Sequence, residues 1–269
     1  MMAVRSQCGG GGLAVARSIG IVGLIAVVGL GCAGRREEPQ PARSHPARPR
    51  QAVTSSIAEI SPPIELVLIS AGPDVRRAFY IGKFEITNAQ YAAFVCETGY
   101  DGSDHPSSKP TEQFLDYWTD GRYPPDLRDH PVTRINWHHA KAFCDWLARK
   151  TGRVVRLPTD AEWEWAARGR AGRVYPWGDE WDPRRCNWGD PGEIDGYAET
   201  APVGSFPAGA TPEGVHDLAG NIWEWSASKV LRGGPWCLDA ESVRCEWKGR
   251  EDPQRADDKF GFRVAVEVD

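Results

Sequence analysis

Apolar residues recur along this chain in several rhythms, and each rhythm predicts its own kind of element. Three stretches carry helical spacing behind a cap. In TNAQYAAFVCET, Thr87 is followed three residues later by Gln90, a capping box, and Tyr91, Phe94 and Val95 then share one face. In NWHHAKAFCDWLARK, Asn136 can serve as the cap, and Ala140, Phe143, Cys144 and Leu147 form the stripe. In TDAEWEWAARG, Thr159 and Glu162 make a second box and Gly169 supplies the stop. Shorter β-like runs are spread along the chain: IELVLIS, AFYIGKFEI, KVLRGG and FGFRVAVEV.

A continuous apolar run, SIGIVGLIAVVGLG, lies behind Arg5 and Arg17 and ends at Cys32. It is short and glycine-rich for a membrane span, which needs about 20 apolar residues. A basic flank, a short apolar core and small residues before the break predict a secretion signal over residues 1–31. The VGLGC ending resembles a bacterial lipobox, which would make Cys32 a lipid-bearing N-terminus. The other reading is an ordinary signal peptide in which Cys32 is incidental. Ala33 after that cysteine points to the outer membrane if the cell is Gram-negative. Residues 32–56 are rich in Pro, Arg and Ser with little to bury, the composition of a disordered tether. The expected address is therefore the cell envelope, lipid-anchored, or else periplasmic or secreted.

Residues 57–269 read as a single domain. Twelve tryptophans with 29 glycines and 21 prolines imply large aromatics pinning irregular loops. Removing residues 1–50 takes out seven of the 32 Lys and Arg and two of the 37 Asp and Glu, which leaves a net charge of −10. An acidic domain argues against nucleic-acid binding and suits cations. A domain with so little regular scaffolding gains from bound metal or disulfides.

The stretches FEITNAQYAAFV, HPVTRINWHHAKAFCDWL, RLPTDAEWEWAARG, YPWGDEWDPRRCNWGD, TAPVGSFPAG, GVHDLAGNIWEWS, LRGGPW and FGFRVA follow one another in a fixed order. Together they resemble the formylglycine-generating enzyme family, the sulfatase-modifying factors. The resemblance implies an α+β fold of the C-type-lectin type with three short helices, short strands and little regular secondary structure.

It also implies two calcium sites. The first would use Asn187, Asp195 and the carbonyls of Trp188 and Tyr197. The second would use Asp217, Glu224 and the carbonyls of Gly220 and Ile222. Carboxylates mixed with backbone carbonyls on loops are what calcium takes. From the residues alone, Asp217 and Glu224 read as loop caps or salt-bridge partners.

Active members of the family hold Cu(I) between two cysteines spaced C-x4-C shortly after GGS, and convert a substrate cysteine to formylglycine. Two soft thiolates must face one ion to bind it. Here Cys237 falls near the first ligand position, after GGPW, and LDAES follows where the second cysteine would stand. Cys245 matches a later position that can be a structural half-cystine. The segment between WEWS and RGG is also shorter than in active members. Two readings stay open. Cys237, with Cys245, is an altered copper and redox site, or these thiols staple a loop. An exported chain favours the staple, and Cys186 could bridge to Cys237 or Cys245. Cys96, Cys144, Cys186, Cys237 and Cys245 are five thiols, so one must stay single or pair outside the chain. Cys144, on a helix face among aromatics, reads as a buried thiol.

Other motifs carry less. His138 and His139 are adjacent and suit surface or capping roles. His105, His130 and His216 lack metal-ligand spacing, and no G-x-S-x-G elbow is present. The two WGD triplets, at 177 and 188, read as turns. The histidine-bearing iron domain of the related sulfoxide synthases has no counterpart before residue 57, where only signal and tether are expected. The expectation is a calcium-stabilised binding or scaffold domain for a protein or glycan partner at the envelope. The rival is a copper-dependent oxidase of a protein cysteine, as in a sulfatase.

Overall fold

Each of the three helices begins where a side chain takes over the first orphan N–H groups. In the computed structural model, which describes residues 53–103, 114–189 and 194–268, α1 runs over Asn88–Thr98, α2 over Trp137–Thr151 and α3 over Asp160–Arg168. Reciprocal capping boxes close α1 through Thr87 and Gln90, and α3 through Thr159 and Glu162. A third closes α2, where His139 Nδ1 accepts from the Asn136 N–H at 3.1 Å. His139 is therefore a capping residue and buried, while the helix stripe of Ala140, Phe143, Cys144 and Leu147 enters the core.

The strands are short. In chain order they are β1 (Thr54–Ile57), β2 (Ile64–Ile69), β3 (Phe79–Gly82), β4 (Val155–Arg156), β5 (Trp223–Trp225), β6 (Leu231–Arg232), β7 (Phe260–Gly261) and β8 (Ala265–Glu267). One sheet has the order β1-β2-β3-β8-β4, all antiparallel; the other is β6-β5-β7, with β5 and β7 parallel. β1 starts three residues before the expected domain boundary at 57, because Thr54 pairs with Val67 and extends the edge of the sheet. The expected signal over 1–31, Cys32 and the tether up to residue 52 lie outside the described residues. So does His105. Among the described residues, no helix is long and apolar enough to cross a membrane.

Aromatics hold the main core together. The rings of Tyr91 and Phe143 stack at 5.5 Å, and Phe262 meets Phe143 edge-on at 5.4 Å, so α1, α2 and the C-terminal strands close on one another. Each such ring removed from water contributes about 2–3 kcal/mol. A separate cluster of Tyr175, Cys186, Ala219 and Val243 lies under the loops that carry the candidate site, flanked by Trp177, Trp181 and Trp188. The first WGD is a turn, with Tyr175 and Gly178 exchanging backbone hydrogen bonds.

Candidate functional site

The stretch before β5 is bent inward by its backbone. Asp217, Gly220 and Asn221 all have positive φ, at 57°, 80° and 65°. At Gly220 only glycine fits: a Cβ there would lie 1.9 Å from the Asn187 carbonyl oxygen. This close approach brings the two loops named by the calcium expectation against each other.

Asn221 joins them. Its Oδ1 accepts from Asn187 Nδ2 at 3.1 Å and from the Ala201 N–H at 2.8 Å, and its Nδ2 donates to Glu85 Oε1 at 3.1 Å. Its backbone N–H donates to the Asn187 carbonyl, and its own carbonyl accepts from the Trp236 N–H, next to Cys237. One buried amide thus ties the 187–197 loop, the 217–224 loop and the Cys237 loop together.

In the first loop, Asp195 Oδ2 accepts from the Trp188 N–H at 3.1 Å and Oδ1 from the Tyr197 N–H at 2.9 Å. Residues 190–193, within this loop, lie outside the described residues. Asn187 is buried, and its Oδ1 has no hydrogen-bond partner although its Nδ2 has two. A buried unpartnered oxygen demands an explanation, and a hard cation provides one. These residues fit calcium.

The second loop is arranged differently. Glu224, at the middle of β5, is wholly buried against Arg263, which donates from Nε and Nη2 at 2.6 Å each, while Trp163 Nε1 adds a third bond at 2.8 Å. Asp217 Oδ2 accepts from the Gly204 N–H at 2.7 Å. Glu85 is buried beside them with Oε2 unpartnered. Burial, reinforced by the charge of Asp217, raises the Glu85 carboxyl well above the usual range despite Arg263. Burial likewise pushes Asp217 up to about 6. Three buried carboxylates thus face one guanidinium, an imbalance that a divalent cation relieves. The charge and the orphaned oxygen fit calcium. Among the described residues, however, no three His, Cys, Asp or Glu side chains are placed so that together they could hold a metal ion, so backbone carbonyls would have to complete either shell.

Glu85, Asn221 and Arg263 escaped the reading of the sequence. The signal was a charged or amide residue set among apolar ones in FEI, GNI and FRV, where a strand or loop points it inward.

The thiols separate rather than gather. Cys245 is fully buried among Val215, Leu218 and Ala167, and burial pushes its thiol up to about 12. Cys186 and Cys144 are buried and also raised by burial, while Cys96 is exposed. Cys186 and Cys245 stand as thiols, so the expected staple from Cys186 to Cys237 or Cys245 is not formed. The reason is local: Cys186 belongs to the cluster under the loops that carry Asn187 and Ala219, and Cys245 to the cluster against α3. Cys237 is half-buried on the turn that follows Trp236. Arg244 is occupied by Glu241 at 2.6 Å.

The Sulfatase-modifying factor enzyme 1-like domain matches residues 71–268 of this chain. A formylglycine-generating enzyme of Streptomyces coelicolor is 33% identical over 260 residues, covering 72% of this chain and 79% of that protein. The Bos taurus protein named "Inactive C-alpha-formylglycine-generating enzyme 2" is 38% identical over 159 residues, 51% of this chain and 50% of that protein. The chain thus spans about half the length of that relative. PvdO from Pseudomonas aeruginosa superposes with a TM-score of 0.64 at 24% identity, covering 81% of this chain and 99% of PvdO, a likeness of fold alone. The chain belongs to the formylglycine-generating enzyme, or sulfatase-modifying factor, family.

Proposed function

We propose that this chain is an exported, lipid-anchored member of the family that binds a protein or glycan partner at the cell envelope instead of oxidising a cysteine. The observation that supports this reading is the unequal exposure of Cys237 and Cys245. Cys237 reaches the surface while Cys245 is sealed in an apolar cluster with its proton held tightly. A Cu(I) site needs two thiolates presented to one ion, and only one of this pair is accessible. Relatives named as generating enzymes and as an inactive one match this chain alike, so the decision rests on those local residues. In this reading, calcium would be held by Asn187, Asp195 and the Trp188 and Tyr197 carbonyls. A second ion would use Asp217, Glu224 and the Gly220 and Ile222 carbonyls. It supplies fixed positive charge between loops that have few backbone ladders of their own. Lipidation at Cys32 would place the domain at the outer membrane.

One observation favours the second reading, oxidation of a protein cysteine to formylglycine with copper and dioxygen. Trp236, which precedes Cys237, lines a cavity of about 120 Å³ together with His130, Arg134 and Asp258. Cys237 would then be the copper ligand and redox thiol.

The two readings separate in one assay. The full-length chain is incubated with copper, dioxygen and a peptide containing C-x-P-x-R, and the peptide is followed by mass spectrometry. The binding reading expects the peptide unchanged. Conversion that vanishes in Cys237→Ser would establish the oxidase instead.

A further inference from the structure

The turn that carries Cys237, residues 233–238, is anchored by the same two loops that would hold calcium. The Gly220 N–H donates to the Gly233 carbonyl at 3.0 Å, and the Trp236 N–H to the Asn221 carbonyl at 3.0 Å. On the far side of Cys237, the Gly189 N–H donates to the Leu238 carbonyl at 2.7 Å. These bonds bracket the cysteine. Each comes from a residue of the calcium set or from its neighbour: Gly220 itself, Asn221 between Gly220 and Ile222, and Gly189 directly after Trp188. The packing is as close as the bonding. A Cβ on Gly233 would lie 3.3 Å from the Ile222 carbonyl oxygen, and one on Gly189 would lie 2.7 Å from the Leu238 oxygen.

The link at residues 188 and 189 is direct. The Trp188 carbonyl and the Gly189 N–H belong to one planar peptide unit and point to opposite sides of it. A cation on that carbonyl would fix and polarise the unit that grips Leu238. The entry to the turn is built to move. Gly233 and Gly234 are consecutive glycines with φ of 93° and 77°, a backbone that other residues rarely adopt.

We propose that the Cys237 turn is a calcium-dependent element. With the cation bound, the turn is held and Cys237 stays half-buried; with the cation removed, the turn loosens and the thiol opens to solvent. The inference rests on the calcium part of the proposed function. It extends that part from the stability of the loops to the exposure of one residue.

The test is alkylation resolved residue by residue. The reduced full-length chain is pulsed with iodoacetamide in calcium and after chelation, and each cysteine is followed by mass spectrometry. Cys96, exposed on α1, sets the intrinsic rate, and Cys144, buried in the main core, reports unfolding of the whole domain. The expected result is Cys237 labelling about tenfold faster after chelation, the loosening of about one hydrogen bond. Cys96 and Cys144 should not change. Gly189→Ala keeps every proposed calcium ligand but drives the Leu238 carbonyl away, so it should label fast even in calcium. Slow labelling of that variant in calcium would overturn the proposal. Bound calcium with one and the same Cys237 rate in both conditions would overturn it too, and leave the calcium reading standing. Cys144 labelling together with Cys237 would also sink it, because the turn would then have no transition of its own. No calcium found by elemental analysis of the dialysed chain would remove the reading and the proposal together.

Discussion

Asn221 makes more structural connections than any carboxylate in the candidate site. Its side chain satisfies the Ala201 N–H, Asn187 Nδ2 and Glu85 Oε1 from three separate segments. Asn221→Ala removes a bond from each of the three in a buried setting, so urea unfolding should show a loss of about 2–4 kcal/mol. The Arg263–Glu224 pair is equally exacting, with both residues wholly buried. Removing one partner alone leaves a buried charge, and Arg263→Met should cost about 3–5 kcal/mol. Titration has a defined sign here. The folded Asp217 carboxyl, pushed up to about 6 mainly by burial, lies above its unfolded value near 4. The folded chain therefore keeps a proton that the unfolded chain releases. The stability this contributes is fully present below about pH 4 and is lost as pH rises through about 6, on the order of 3 kcal/mol for a rise of about two pH units at Asp217. Melting of the chelated protein between pH 4 and 6.5 should show that decline, and Asp217→Asn should flatten it. A profile unchanged by the substitution would refute the assignment.

At the scale of elements, the helices and most strands were legible, since the four β-like runs hold β2, β3, β6, β7 and β8, but the pairing of strands was not, for a physical reason. A capping box is written within four residues, so Thr87 with Gln90 and Thr159 with Glu162 announced α1 and α3 in full. The β6-β5-β7 sheet has strands of two or three residues whose partners lie up to 37 positions away, Trp223 opposite Phe260. No local pattern encodes that pairing. The same limit hid the side-chain pair of Arg263 and Glu224. Likewise, the cysteines could be counted from the sequence, yet their assignment to different clusters depends on packing. Two changes measure how local the local elements are. Thr159→Ala should cost about 1 kcal/mol, the worth of one cap. Gly220→Ala should cost about 3 kcal/mol, since the new Cβ would lie 1.9 Å from the Asn187 oxygen in a backbone of φ 80°. It should also weaken calcium binding, because it forces the two loops apart.

For the molecule as a whole, irregular loops around an aromatic core make bound cations a structural matter. Calcium at Asn187 and at the Asp217–Glu224 loop would link segments that share few ladder bonds, so chelation of the full-length chain should lower its melting temperature by several degrees. No shift, with no calcium found by elemental analysis, would remove both sites together. The family fold also sets what the chain could do with Cys237, and the decisive measurement is an anaerobic Cu(I) titration of the reduced full-length chain beside Cys237→Ser and Cys245→Ser. The account predicts weak binding that neither substitution changes, because Cys245 is sealed from the surface on which Cys237 lies. Tight one-to-one binding abolished by both substitutions would contradict it, and would show that the two thiols meet around one ion.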